Sequence, residues 1–108
     1  MKMQKWEMVD KATILKYKIE RGVRGCEEQY EELIKKIGDI DDQMVKNLYE
    51  LNKEMFLYEE VITYAINQYD FFKVGILYTL LRDLTHKRTE AKNRIAEKYD
   101  QFGEFKKY

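Results

Sequence analysis

Apolar residues recur along this chain at alternating steps of three and four, the spacing that lines one face of an α-helix. A first row runs Met8, Ala12, Leu15, Ile19, Gly22, Cys26, Tyr30, Leu33 and Ile37 and predicts one long helix near residues 4–37. Gly38 then stands where a helix ends easily, because a residue without Cβ enters the left-handed region at little cost. Asp39 or Asp41 offers an N-cap oxygen, and Asp42 sets negative charge near the next helix N-terminus. The pattern therefore places a turn at residues 38–41.

A second row, Met44, Leu48, Leu51, Met55, Tyr58, Ile62, Ala65 and Tyr69, keeps the alternation without a miss. Beyond it the apolar positions change phase, to Val74, Leu77, Leu81, Leu84, Arg88, Ala91, Ile95 and Phe102. Such a displacement requires a turn, and the polar stretch Asn67-Gln68-Tyr69-Asp70 can supply one, with Asp70 capping the helix that follows. The fold class is thus all-α: an antiparallel three-helix bundle with helices near 4–37, 40–67 and 71–102, forming one domain over residues 1–108. The alternative is a coiled-coil-like helical hairpin whose second arm runs unbroken from 40 to 102, about 95 Å at 1.5 Å per residue. The tail 103–108 is expected to fray.

Composition agrees with helices. Among 108 residues there is no proline, and only five are glycine. Cys26 is the single cysteine, which excludes an internal disulfide and points to a reducing, cytoplasmic setting. The longest uncharged stretches, Val61–Tyr69 and Val74–Leu81, fall far short of the ~20 residues of a membrane span, and the first residues lack the apolar core of a signal peptide. Fifteen lysines against five arginines suggest an AT-rich coding sequence, as in a low-GC bacterium or one of its phages. Charge is segregated: residues 1–24 carry seven basic and three acidic groups, 25–60 four and eleven, and 61–108 nine and six. Antiparallel packing would let the acidic middle meet the basic end of the third helix.

Candidate chemistry is thin. His86 is the only histidine; a phosphotransfer domain favours lysine and glycine three and four positions later, where Thr89 and Glu90 stand. Asp83 and His86 share a helical face, yet a di-iron bundle needs two such carboxylate–histidine pairs and further glutamates, and a zinc site needs more ligands. Cys26, on the expected inner face, reads as a small hydrophobe, and Gly22-Val23-Arg24-Gly25 has no preceding strand to make a phosphate loop. Gly22 and Cys26, one turn apart, suggest a close helix crossing or a kink. No enzyme activity, cofactor or metal is expected.

Two surfaces remain. Fifteen aromatics exceed what a narrow seam holds, so Trp6, Tyr17, Tyr49, Tyr64, Phe71 and Tyr78 are expected off the core, as tyrosine and tryptophan often are at binding hot spots. With the acidic group Glu27, Glu28, Glu31, Glu32, Asp39, Asp41 and Asp42 they suggest a non-enzymatic protein–protein interaction module, a small phage or mobile-element regulator or inhibitor that binds a host protein, with a homodimer conceivable. The alternative is nucleic-acid binding through Arg82, Lys87, Arg88, Lys92 and Arg94 on the third helix, disfavoured by a formal net charge of zero. Arg88, on the seam, is expected to snorkel outward or to pair with Glu31 or Glu32.

Overall fold

A computed structural model describes residues 3–100. Their order is α1 (Lys5–Glu20), α2 (Glu27–Ile37), α3 (Asp42–Asn67), α4 (Phe71–Ile95) and a closing π-turn, Ala96–Asp100. No strand occurs among the described residues, so the chain is all-α. Phe102 and the tail 103–108 lie outside them.

Both expected turns form. Asp41 caps α3 by accepting from the Gln43 amide at 2.9 Å, and Gly38 ends α2 with φ of 65°. Asp70 caps α4 by accepting from the Lys73 amide at 3.2 Å, after Tyr69 turns the chain at φ 59°. The second and third apolar rows pack as the α3–α4 seam. Leu48, Ile62, Ala65, Leu84, Ala91 and Ile95 are buried, and Met44, Leu51, Met55, Tyr58, Val74, Leu77, Leu81 and Arg88 are half-buried. The break at 68–70 removes the unbroken 40–102 arm.

The first expected helix is corrected: it is two helices. Residues 21–26 form a turn in which Gly22 (φ 83°) and Gly25 (φ 87°) take left-handed backbone that side-chain-bearing residues rarely adopt. A Cβ built on Gly22 would meet nothing within 4 Å, so the glycine serves the turn and not a close crossing. The turn sends α2 back along α1, where Leu33 and Ile37 join Val9, Ala12, Leu15, Leu48, Ala91 and Ile95 in one core. Cys26 sits half-buried at the start of α2 against that cluster.

Relative directions follow from paired contacts. Thr13 meets Asn52, Tyr17 stacks on Phe56 (centroids 5.1 Å apart) and Arg21 pairs with Glu60 at 2.7 Å, so α1 and α3 run parallel. Arg88 meets Asn52 and Lys98 meets Asp41, so α4 returns antiparallel. The end holding the N-terminus of α1 is tied shut. Asp100 accepts from the Lys5 and Trp6 amides at 2.7 and 3.0 Å, occupying donors that an α1 N-terminus leaves open. Tyr99 Oη accepts from the Asp41 amide at 2.8 Å, and Lys5 Nζ donates to the Asp39 carbonyl at 2.7 Å.

The other end has no such closure. α1 stops at Glu20, Arg21 just after it reaches Glu60, and the α3–α4 hairpin continues beyond as a projecting arm. A radius of gyration of 15.7 Å, against about 13 Å for a compact domain of this size, reflects that shape.

Candidate interaction surface

The arm spans the last turns of α3 and the first turns of α4, and between Val61 and Leu81 it holds only two charged residues, Asp70 and Lys73. Outside the seam its large apolar side chains are bare: Leu57 is 40% exposed, Val61 41%, Tyr64 64%, Phe72 82%, Ile76 49% and Leu80 43%, with Tyr69 at 79% and Phe71 at 64% on the tip.

Helical phase shows which of them share a face. Leu57, Val61 and Tyr64 follow steps of four and three on α3, and Phe72, Ile76 and Leu80 follow steps of four on α4. Near the closed end, Gln43, Asn47 and Arg94 line one shallow depression between α3 and α4 that no α1 residue enters. Eighteen residues make five whole helical turns at 3.6 residues per turn. Val61 lies eighteen after Gln43 and Ile76 eighteen before Arg94, so both fall on that same side of the hairpin. The face opposite α1 therefore changes character along its length. It carries Gln43, Asn47 and Glu54 beside Arg94, Glu90, Lys87 and Asp83, then Leu57, Val61 and Tyr64 beside Leu80, Ile76 and Phe72. On the α1 side, by contrast, the arm lines a second depression with Glu59, Glu60 and Thr63 beside Tyr17 and Phe56.

Beneath the arm lies a buried polar junction joining three helices. Arg88 Nη2 donates to both carboxylate oxygens of Asp10 at 3.0 and 2.8 Å, and its Nε donates to Asn52 Oδ1. Asn52 Nδ2 in turn donates to Asp10 Oδ1 at 3.0 Å and Thr13 Oγ1 at 2.9 Å, and the Thr13 hydroxyl donates to the Asp10 carbonyl at 2.7 Å. Arg88 thus pairs inward with Asp10, correcting its expected pairing with Glu31 or Glu32. Lys92, one turn on, is pulled below its ordinary pKa by burial and by the Arg88 charge, against an opposing pull from Asp10.

The residues singled out by sequence disperse. Glu27, Glu28, Glu31 and Glu32 are exposed on α2; Asp39 and Asp42 are exposed in and after the 38–41 turn, and half-buried Asp41 is an N-cap that also faces Lys98 at 3.6 Å. Tyr64, Phe71 and Tyr78 are exposed on the arm. Trp6 is half-buried, donating from its indole nitrogen to Gln4 at 2.7 Å beneath Lys92. Tyr17 and Tyr49 are corrections, since each is only 7% exposed. Tyr17 packs on Phe56 under Arg21. Tyr49 donates to Glu20, lies 4.5 Å below Lys16 Nζ, and has its pKa pushed up to about 12, first by burial and then by Glu20. Cations over rings account for several aromatics beyond the seam.

The basic set of α4 is divided as well. Arg88 is spent on Asp10, Lys92 lies over Trp6, and Arg94 faces Glu90 at 3.9 Å, leaving Arg82 and Lys87 exposed. Among the described residues no group of three or more His, Cys, Asp or Glu side chains could hold a metal ion, and no helix is long and apolar enough to cross a membrane. A groove of about 480 Å³ between α1, α2 and α3 has an apolar floor of Ala12, Ile37, Ile40 and Val45 under a rim of Lys16, Lys46, Asp42 and Glu50. Scans against family models, curated proteins and solved structures find no match for the chain.

Proposed function

We propose that this chain is a non-enzymatic protein–protein interaction module whose working surface is the bare face of the α3–α4 arm. The observation that carries the reading is the change from charged to apolar along one continuous face of the hairpin, on the side away from α1. At ~150–250 Å² for a large side chain, these exposed fractions bare on the order of 600 Å² on the face, and roughly 850 Å² with Tyr69 and Phe71. A monomer's largest apolar patch is about 300–600 Å², and larger ones mark interaction sites. Covering ~600 Å² is worth about 15 kcal/mol gross, at the upper end of the ~4–15 kcal/mol that association itself costs. The exposed glutamates of α2 form a second, charged surface suited to steering a basic partner and not to holding one.

The test is site-specific photo-crosslinking in the cells that make the protein. A photoreactive phenylalanine at position 72 should yield protein adducts that disappear with Ile76→Glu, while the same probe at Gln29 on α2 yields few. Equal adducts from both positions, or none from position 72, would refute the arm as the working surface.

A further inference from the structure

Resting on that reading of the arm, we infer that its occupant is a second copy of this chain, the two arms packing antiparallel about a two-fold axis near Val61. The result is a four-helix bundle at the junction of two molecules.

Size and charge both favour this occupant. The apolar surface on each face, on the order of 600 Å², approaches with its charged rim the ~800 Å² per partner of a standard interface. The two apolar rows match in length, since Leu57–Tyr64 and Phe72–Leu80 each cover about 11–12 Å of helix at 1.5 Å per residue. A surface of equal rows is self-complementary under a two-fold rotation, as an isologous interface requires. With Asp70 and Lys73 as its only charges between 61 and 81, the arm lacks the basic cluster that an anionic membrane surface would recruit.

The ends of the patch set the direction. Lys73 lies three residues before Ile76 and seven before Leu80, on the same face at the outer end. Glu54 lies three before Leu57 and seven before Val61, and Asp83 three after Leu80 and seven after Ile76, so both stand on that face at its inner end. None of the three forms an ion pair within the chain among the described residues. Each face therefore borders its apolar patch with a cation at the outer end and two carboxylates at the inner end, with Lys87 a further turn inward. Antiparallel arms bring Lys73 of each copy to Glu54 and Asp83 of the other, whereas parallel arms set like charges together. Charge at the rim of an apolar patch selects orientation more than it adds affinity, which is the role left for these groups.

Sedimentation equilibrium of the full chain, with circular dichroism to confirm folding, tests the inference. The native chain should be a dimer at micromolar concentration, and Ile76→Glu a folded monomer. Lys73→Glu should weaken self-association at least tenfold, and so should Glu54→Lys combined with Asp83→Lys. Mixing these two variants should restore the dimer as a one-to-one heterodimer, because each then offers the opposite charge to the other. A native chain that stays monomeric at high concentration would overturn the inference, as would charge variants that dimerise undisturbed or a mixture that fails to re-form. Flotation of the native chain with neutral or anionic phospholipid vesicles, lost on Phe72→Glu, would also overturn it in favour of a lipid surface. Adducts from position 72 to a different protein, with a monomeric chain, would leave the arm's role intact while removing the second copy; absence of adducts would remove both.

Discussion

Arg88 and Asp10 meet inside the molecule at 2.8 Å, with their side chains 23% and 15% exposed, and join the third long helix to the first across 78 residues of sequence. Asn52 completes the junction from the middle helix, so three helices share one set of hydrogen bonds. The geometry is directional in a way that apolar packing is not, because Arg88 can reach Asp10 through Nη2 and Asn52 through Nε together in only one register.

Removing one partner strands the other with little water to receive it. Arg88→Ala and Asp10→Ala should each destabilise by about 3 kcal/mol, and Arg88→Lys should recover little because one ammonium cannot span Asp10 and Asn52 as Nη2 and Nε do. Chemical denaturation of the two single variants and their double checks this. Coupling near zero in that cycle would mean the junction carries no stability of its own.

The glycines separate cleanly. Gly22 and Gly25 hold positive φ, so Gly22→Ala and Gly25→Ala should each cost about 1 kcal/mol through backbone strain. Gly75 is helical, and a Cβ there meets nothing within 4 Å, so Gly75→Ala should stabilise by about 0.5–1 kcal/mol. Thermal melts of the three variants give the signs directly.

Tyr49 predicts an alkaline limit. Its hydroxyl titrates near 12 in the folded chain against an ordinary 10.0, so the native state holds this proton more tightly than the unfolded one. The stability it contributes is complete below pH 10 and lost as pH rises through about 12. Tyr49→Phe should lose stability less steeply over that window, and tyrosinate absorbance should show a group titrating near 12 that the variant lacks. Identical alkaline profiles for native and variant chains would contradict the buried assignment.

Much of this fold is legible in the sequence, and the failures have physical causes. The α3–α4 seam is readable because its two apolar rows differ in phase, which only a turn near Tyr69 can reconcile. The turn at 21–26 is hidden because Gly22 and Cys26 occupy three-and-four positions without carrying a side chain large enough to report a helix face. Val9, Thr13 and Tyr17 escape a one-stripe reading because α1 packs against α2 on one side and α3 and α4 on the other, burying a wide arc. Arg88 is recognisable as an intruder in the seam, but its partner is not, since Asp10 lies on a helix that the apolar row extends past its real end. The arm was written in the uncharged stretches Val61–Tyr69 and Val74–Leu81, whose helical phase, more than their length, holds the information.

Everything proposed for the arm depends on the first helix turning back and leaving the hairpin uncovered. An electron–electron distance between nitroxides on Lys11→Cys and Lys36→Cys, in a Cys26→Ser background, measures this most directly. With α2 folded along α1 at the usual ~8–10 Å between helix axes, the labels should lie within about 25 Å of each other. A single helix over 4–37 would hold those positions some 38 Å apart at 1.5 Å per residue, and a distance in that range would contradict the account.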